Sequence, residues 1–278
     1  MSSFSERQGI RPPKAIVQKG SMDADLRVGL WNALTVYVWS RWQNLSQVEF
    51  NQQCASFCYR LFVDFFKESL DSMPDWWERV HQKIRAFFFE CDWNEVYDFI
   101  EFVTTNVPDL DDFSNACNAV LEKELSGYRL VGTHFTPITS EQETQAITDA
   151  LNVPDTLKPV REHIDAALQK LSDRAKPDYR NSIKESMGAV EALCQLIAGE
   201  RASLGDALKT IEKKVSLHGA LKQAFSNLYG YTSNAEGIRH ALLDEPTLVF
   251  EDAKFMLVSC AAFVNYLVAK AATAGIKL

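Results

Sequence analysis

Arg239 and His240 stand side by side in the segment YGYTSNAEGIRHALLDEP. Arginine is a permanent cation, and histidine is the side chain most easily tuned to titrate near neutrality. Together they suit proton transfer beside a developing negative charge. Further candidates lie upstream. Arg180, Lys184 and Glu185 sit in the helix-forming run DYRNSIKESMGAVEAL, and Lys213, Lys214, His218 and Lys222 make a basic stretch that could track phosphate. A plainer reading stands beside each of these. Arg239 can pair with Asp244 or Glu245 at a helix turn, and Ser233-Asn-Ala-Glu236 can cap and stop the segment. The upstream charges can form solvated clusters at helical spacing.

The elements that must position these residues read as helices almost throughout. Residues 1–21 are a polar arm with Pro12-Pro13. From Met22, with Asp23 or Asp25 as cap, Leu26, Leu30, Trp31, Leu34, Val38 and Trp42 recur at spacings of three and four. Ser46-Gln-Val-Glu49 predicts a capping box for a second helix that carries Phe50, Cys54, Phe57, Cys58, Leu61 and Phe65 on one side. Further starts fall at Pro74–Glu78, Asp92–Glu95 and Asp109–Asp112. Aromatic residues crowd this half and read as core, with one of the adjacent Trp76 and Trp77 reaching solvent. The β-branched stretch YRLVGTHFTPIT, residues 128–139, predicts a short hairpin or extended link. Ser140 then caps a helix. Another of about fifteen residues follows, with Val160, Ile164, Ala167, Leu168 and Leu171 as its stripe. The expected class is all-α: an N-terminal domain over 1–127, a β-like link and spacer helix over 128–177, and a C-terminal helix bundle over 178–278.

Composition narrows the function classes. The chain of 278 residues carries a net charge of −8. Residues 1–130 hold 13 basic and 19 acidic side chains, whereas residues 173–239 hold 10 basic and 8 acidic. Binding of nucleic acid through bulk charge is disfavoured, but a local basic pocket in the second half is allowed. Six cysteines without a Cys-x2-Cys pair and five scattered histidines predict no metal site; buried thiols in a reducing compartment are expected. No Gly-rich phosphate loop and no spaced ligand set occur, so no cofactor is expected. The N-terminal segment lacks an apolar core of signal-peptide length. Phe255–Ala272, broken by Ser259, Cys260 and Asn265, reads as a buried helix too short and polar for a bilayer. A soluble cytoplasmic protein is expected.

The words FSERQGIRPP and SMDADLRVGLWNAL resemble the N-terminal domain of AbiJ-type abortive-infection proteins, and YRLVGTHFTPITSEQE looks like the link that follows it. The C-terminal stretches DYRNSIKESMGAVEALCQLI, TIEKK and LHGALKQAFSNLYGYTSNAEGIRHALLDE resemble the HEPN superfamily, many of whose members are nucleases of defence systems. That resemblance implies metal-free RNA cleavage at a site shared by two protomers. Arg239 matches the motif arginine and His240 the polar residue after it, so these two are the implied catalytic residues. Arg180, Lys184, Lys214, His218 and Lys222 are the RNA-binding candidates. The motif's distal histidine falls near Asp244 or Glu245, and both are acidic. Two functions follow as expectations. One is an anti-phage endoribonuclease effector acting on tRNA or other structured RNA as a homodimer. The alternative is a catalytically silent HEPN-like dimer that binds or senses a partner, such as an antitoxin or a phage-derived trigger protein.

Overall fold

A computed structural model describes residues 17–173, 176–199, 204–215, 217–233 and 248–278, together with residues 4 and 8. Eleven α-helices and one two-stranded sheet occur among them, which is the all-α class with a short β link that the periodicity predicts. The chain divides into two compact units, residues 1–137 and 138–278.

The first unit begins where the arm is pinned. Gln18 exchanges backbone hydrogen bonds with Leu125 and Gly127, and its side-chain amide donates to the Glu124 carbonyl at 2.7 Å. Helix α1 (Ala24–Tyr37) starts at Asp23, whose carboxylate accepts the Leu26 N–H at 2.9 Å. It ends sooner than its stripe suggests: a 3₁₀ turn over Trp39–Arg41 follows, yet Val38, Trp39 and Trp42 stay buried. The second helix, α2 (Gln52–Arg60), departs from expectation at its start. Asn51, not Ser46, is its cap and accepts the Cys54 N–H. Ser46–Val48 is held instead by backbone bonds to Asp75 and Trp77, so the predicted capping box does not form. A π-helical turn, Leu61–Phe66, extends α2 and closes at Lys67, whose φ is +56°.

Helices α3 (Trp77–Glu90), α4 (Trp93–Asn106) and α5 (Asp111–Lys123) complete this layer. At α4 the start falls where the sequence places it and forms a capping box: Asp92 caps, and the Glu95 carboxylate accepts the Asp92 N–H. Helices α1 and α5 cross closely at Gly29, where a Cβ would stand 2.5 Å from Val120 Cγ1. The core they enclose is a continuous aromatic cluster of Trp31, Trp39, Trp42, Phe57, Trp77, Phe88 and Phe99, with tilted and edge-on rings as the ring quadrupoles favour. Trp77 is 4% exposed and Trp76 49%, so one of the adjacent pair does reach solvent. Strands β1 (Arg129–Val131) and β2 (His134–Thr136) then form the expected antiparallel hairpin.

The second unit is helical. Helices α6 (Glu141–Leu151) and α7 (Lys158–Ser172) lead into α8 (Tyr179–Ala198), α9 (Leu204–Lys214), α10 (Gly219–Ser233) and α11 (Phe250–Thr273). All five stripe residues of α7 are buried. Helix α8 is central, packing on α7, α9 and α11. Its crossing with α7 is close because α8 presents small residues there, and the buried Ser182 hydroxyl donates to the Ala167 carbonyl at 2.8 Å. Helix α11 corrects one expectation. At 24 residues it is long and apolar enough, by length and composition, to cross a membrane. Its packing and polar ties mark it as a core helix of this unit. Met256, Leu257, Cys260, Val264 and Leu267 are buried, the Asn265 amide donates to the Ala146 carbonyl, and Lys254 pairs with both Glu143 oxygens at 3.0 and 3.1 Å. All six cysteines are free thiols, and five are buried. Burial holds the Cys194 and Cys260 thiols in the protonated form, pushed up to about 12.

Candidate functional site

Arg239 and His240, with Asp244 and Glu245, lie outside the described residues. The remaining candidates are placed on α8, α9 and α10. Arg180 stands in the first turn of α8 and is half-buried; Lys184 follows one turn later and is exposed. Lys214 closes α9, and its ammonium donates to the Ile197 and Ala198 carbonyls at 3.2 and 2.7 Å. A cation there satisfies the last carbonyls of α8 and complements its dipole. Lys222 is paired with Glu212. His218 is exposed, and its Nδ1 accepts the Ala220 N–H at 3.2 Å at the head of α10. The basic stretch is therefore not one open surface, because two of its cations are committed to neighbours.

A different cluster comes together between α7 and α8. His163 of α7 directs Nδ1 at the Glu185 carboxylate of α8, 2.7 Å away. A carboxylate only accepts, so Nδ1 carries a proton, and the neutral tautomer of this arrangement has its lone pair on Nε2. The ring rests against the α8 backbone at Gly188. A Cβ built there would stand 3.0 Å from Nδ1 and 3.1 Å from Cε1, closer than nearly all real Cβ contacts. Around the pair opens a cleft of about 360 Å³, lined also by Lys184, Glu191, Ala192 and Gln195. Sequence reading placed Lys184 and Glu185 together but missed His163. Twenty-two residues separate His163 from Glu185, and no local motif joins them. The one signal was Gly188 in the middle of a helix-forming run. Glycine there costs about 1 kcal/mol against alanine and often marks a close approach.

In the first unit, His81 is set among Trp31, Trp39 and Trp77 with ring centroids 5.4 to 6.2 Å apart. Burial, and secondly the Arg85 charge, lower its affinity for a proton below the ordinary histidine value. This is a half-buried histidine packed against the aromatic core. Among the described residues no group of three or more His, Cys, Asp or Glu side chains is arranged to hold a metal.

Residues 2–153 match the family AbiJ N-terminal domain 4, over half of the chain, and the chain belongs to that family. The match takes in the helices α1 to α5, the hairpin and α6. With AbiJ membership goes a role in abortive infection, a form of anti-phage defence. Comparison with curated proteins and with solved structures found no match.

Proposed function

We propose that this protein is a cytoplasmic abortive-infection effector whose C-terminal helices, residues 178–278, form a HEPN-like bundle that cleaves RNA without a metal. The observation that carries the reading is the joining of an AbiJ-type domain to a C-terminal helical segment holding adjacent Arg239 and His240. Metal-free cleavage needs a base to take the ribose 2′-OH proton and a cation to steady the charged phosphorane, and it leaves a 2′,3′-cyclic phosphate. Arg239 is the cation of this reading and His240 an acid–base group, with Arg180, Lys184 and His218 among the groups that meet the strand. Structured RNA, tRNA included, is the substrate class. Two copies build the site. In support, α11 carries an outward ridge on which Phe255 is 57% and Tyr266 37% exposed, with Ala262 and Ala269 between and beyond them. Small and aromatic side chains at this spacing permit close helix approach.

The test is incubation of purified protein with total RNA in excess EDTA, beside Arg239→Ala and His240→Ala, with the 3′ ends of fragments mapped. Discrete fragments ending in cyclic phosphate and lost in both variants are expected. One observation favours a second reading: Asp244 and Glu245 stand where the distal histidine of the resemblance falls. A silent HEPN-like dimer that docks an antitoxin or a phage-derived trigger protein fits that departure. It would be sustained by well-folded dimer that binds such a partner and leaves RNA intact with the partner present.

A further inference from the structure

The ribonuclease reading asks for a proton acceptor, and the resemblance's own position for one is occupied by a carboxylate. We propose that the cleft between α7 and α8 receives a ribonucleotide of an RNA strand, with His163 as the group that takes the 2′-hydroxyl proton and Lys184 facing the phosphate. The inference rests on the ribonuclease reading and assigns it a residue outside the Arg239 segment.

Three features of the cleft carry it. The first is orientation. Glu185 fixes Nδ1–H at 2.7 Å, and no further hydrogen bond of this ring is found among the described residues. Nε2 is therefore an oriented acceptor, and Glu185 steadies the imidazolium formed when it takes a proton. A surface histidine that merely closed an ion pair would have no need of a seat; this one has a seat. The second feature is that seat, the bare backbone of Gly188, together with the small Ala192. The absence of a side chain at Gly188 lets the His163 ring lie on the helix backbone, which fixes the plane in which Nε2 faces the cleft. The third is charge. Lys184 lines the cleft, is exposed, and its ammonium has no ion-pair partner among the described residues. Its positive charge sits one residue from the carboxylate that holds His163.

Lys184 and Glu185 bring opposite charges to the cleft. That balance decides what the cleft takes. It is no trap for free polyanions, but it suits a hydroxyl at Nε2 beside a single phosphate at Lys184. Affinity for one nucleotide is accordingly weak, in the millimolar range. In the reaction, His163 Nε2 accepts the 2′-OH proton as the 2′-oxygen bonds to phosphorus. The bond from phosphorus to the 5′-oxygen breaks, and the electron pair leaves with that oxygen, which takes a proton from the acid–base group of the ribonuclease reading. The product is a 2′,3′-cyclic phosphate, and the imidazolium returns its proton to solvent.

Two measurements on the full chain test this. In EDTA with total RNA, His163→Asn is expected to lower cleavage by about 10²- to 10⁴-fold. Glu185→Gln keeps an acceptor for Nδ1–H but removes the charge, so the acid limb of the pH–rate profile moves to lower pH, a change that a purely structural tie would not produce. Separately, uridine 3′-monophosphate is titrated into ¹⁵N-labelled protein while the His163 ring is followed. A shift at Nε2 is expected, diminished in Lys184→Ala and with the 2′-deoxy nucleotide. Undiminished cleavage by His163→Asn, with loss in Arg239→Ala, overturns the assignment and leaves the ribonuclease reading standing. A wild type that cleaves nothing overturns the proton-transfer role along with that reading. An unmoved His163 ring at millimolar nucleotide overturns the cleft as a nucleotide site, whatever the RNA assay shows.

Discussion

Gly188 and His81 show how one residue can set the behaviour of its surroundings. Alanine at position 188 would raise helix propensity by about 1 kcal/mol, but its methyl would meet the His163 ring at 3.0 Å. Because the ring is half-exposed, it can shift outward at little cost. Gly188→Ala is therefore expected to leave the melting temperature within a few degrees of wild type while displacing His163 from Glu185. Thermal unfolding checks the first half, and the ¹⁵N spectrum of the His163 ring the second. The case of His81 concerns stability. Burial among tryptophans disfavours its charged form, so its folded-state proton affinity is lowered. As pH falls below the ordinary histidine value of about 6.5, the unfolded chain binds a proton that the folded chain refuses. Stability of the first unit then declines until pH passes the lowered folded value, below which this group adds no further loss. Melting temperatures at neutral and mildly acid pH, for wild type and His81→Phe, should converge at neutral pH and separate in acid, with the wild type falling further.

Helix starts carry the argument at the scale of elements. Asn51 caps α2 by accepting the Cys54 N–H at 2.9 Å, whereas the Ser46 side chain that sequence favours makes no capping bond. Asn51→Ala is expected to cost about 1 kcal/mol, the ordinary worth of a lost cap. Ser46→Ala should stay within about 0.5 kcal/mol, as for a surface change away from any such feature. Urea unfolding of the two variants side by side separates them, and equal losses would contradict the placement of the cap. The other starts were legible because a cap is a local signal. Asp23, Asp92 and Ser140 each lie within three residues of the N–H they receive. At Ser46 a distant partner intervened: Asp75 and Trp77 bind the backbone of residues 46–48 and hold it out of the helix.

Assembly belongs to the whole molecule. If two copies meet along α11, Phe255→Glu places a charge at the N-terminal end of the ridge without entering the core, since Phe255 is 57% exposed. Sedimentation is expected to show a dimer for the wild type and a monomer of unchanged helicity for the variant. A wild type that sediments as a monomer at all accessible concentrations would remove the two-copy site from the proposed function. The same helix shows why composition did not suffice to place it. Its 24 residues satisfy the length of a bilayer span and are apolar enough on average, and only the burial of Met256, Leu257, Cys260 and Val264, with the polar ties of Lys254 and Asn265, reveals its use.

What sequence determined by itself was whatever is encoded within a few residues: the all-α class, the stripe of α7, the hairpin about Gly132, the helix start at Asp92, and the AbiJ-type words at the N-terminus. Periodicity and caps act over one or two turns, so they survive without knowledge of the fold. The tertiary structure decided the rest. It brought His163 to Glu185 across twenty-two residues, turned Lys214 onto the carbonyls of α8, and paired Lys222 with Glu212. Which charge meets which depends on how helices cross, and that is set by core packing and by close approaches such as Gly188, not by the spacing of the charges along the chain.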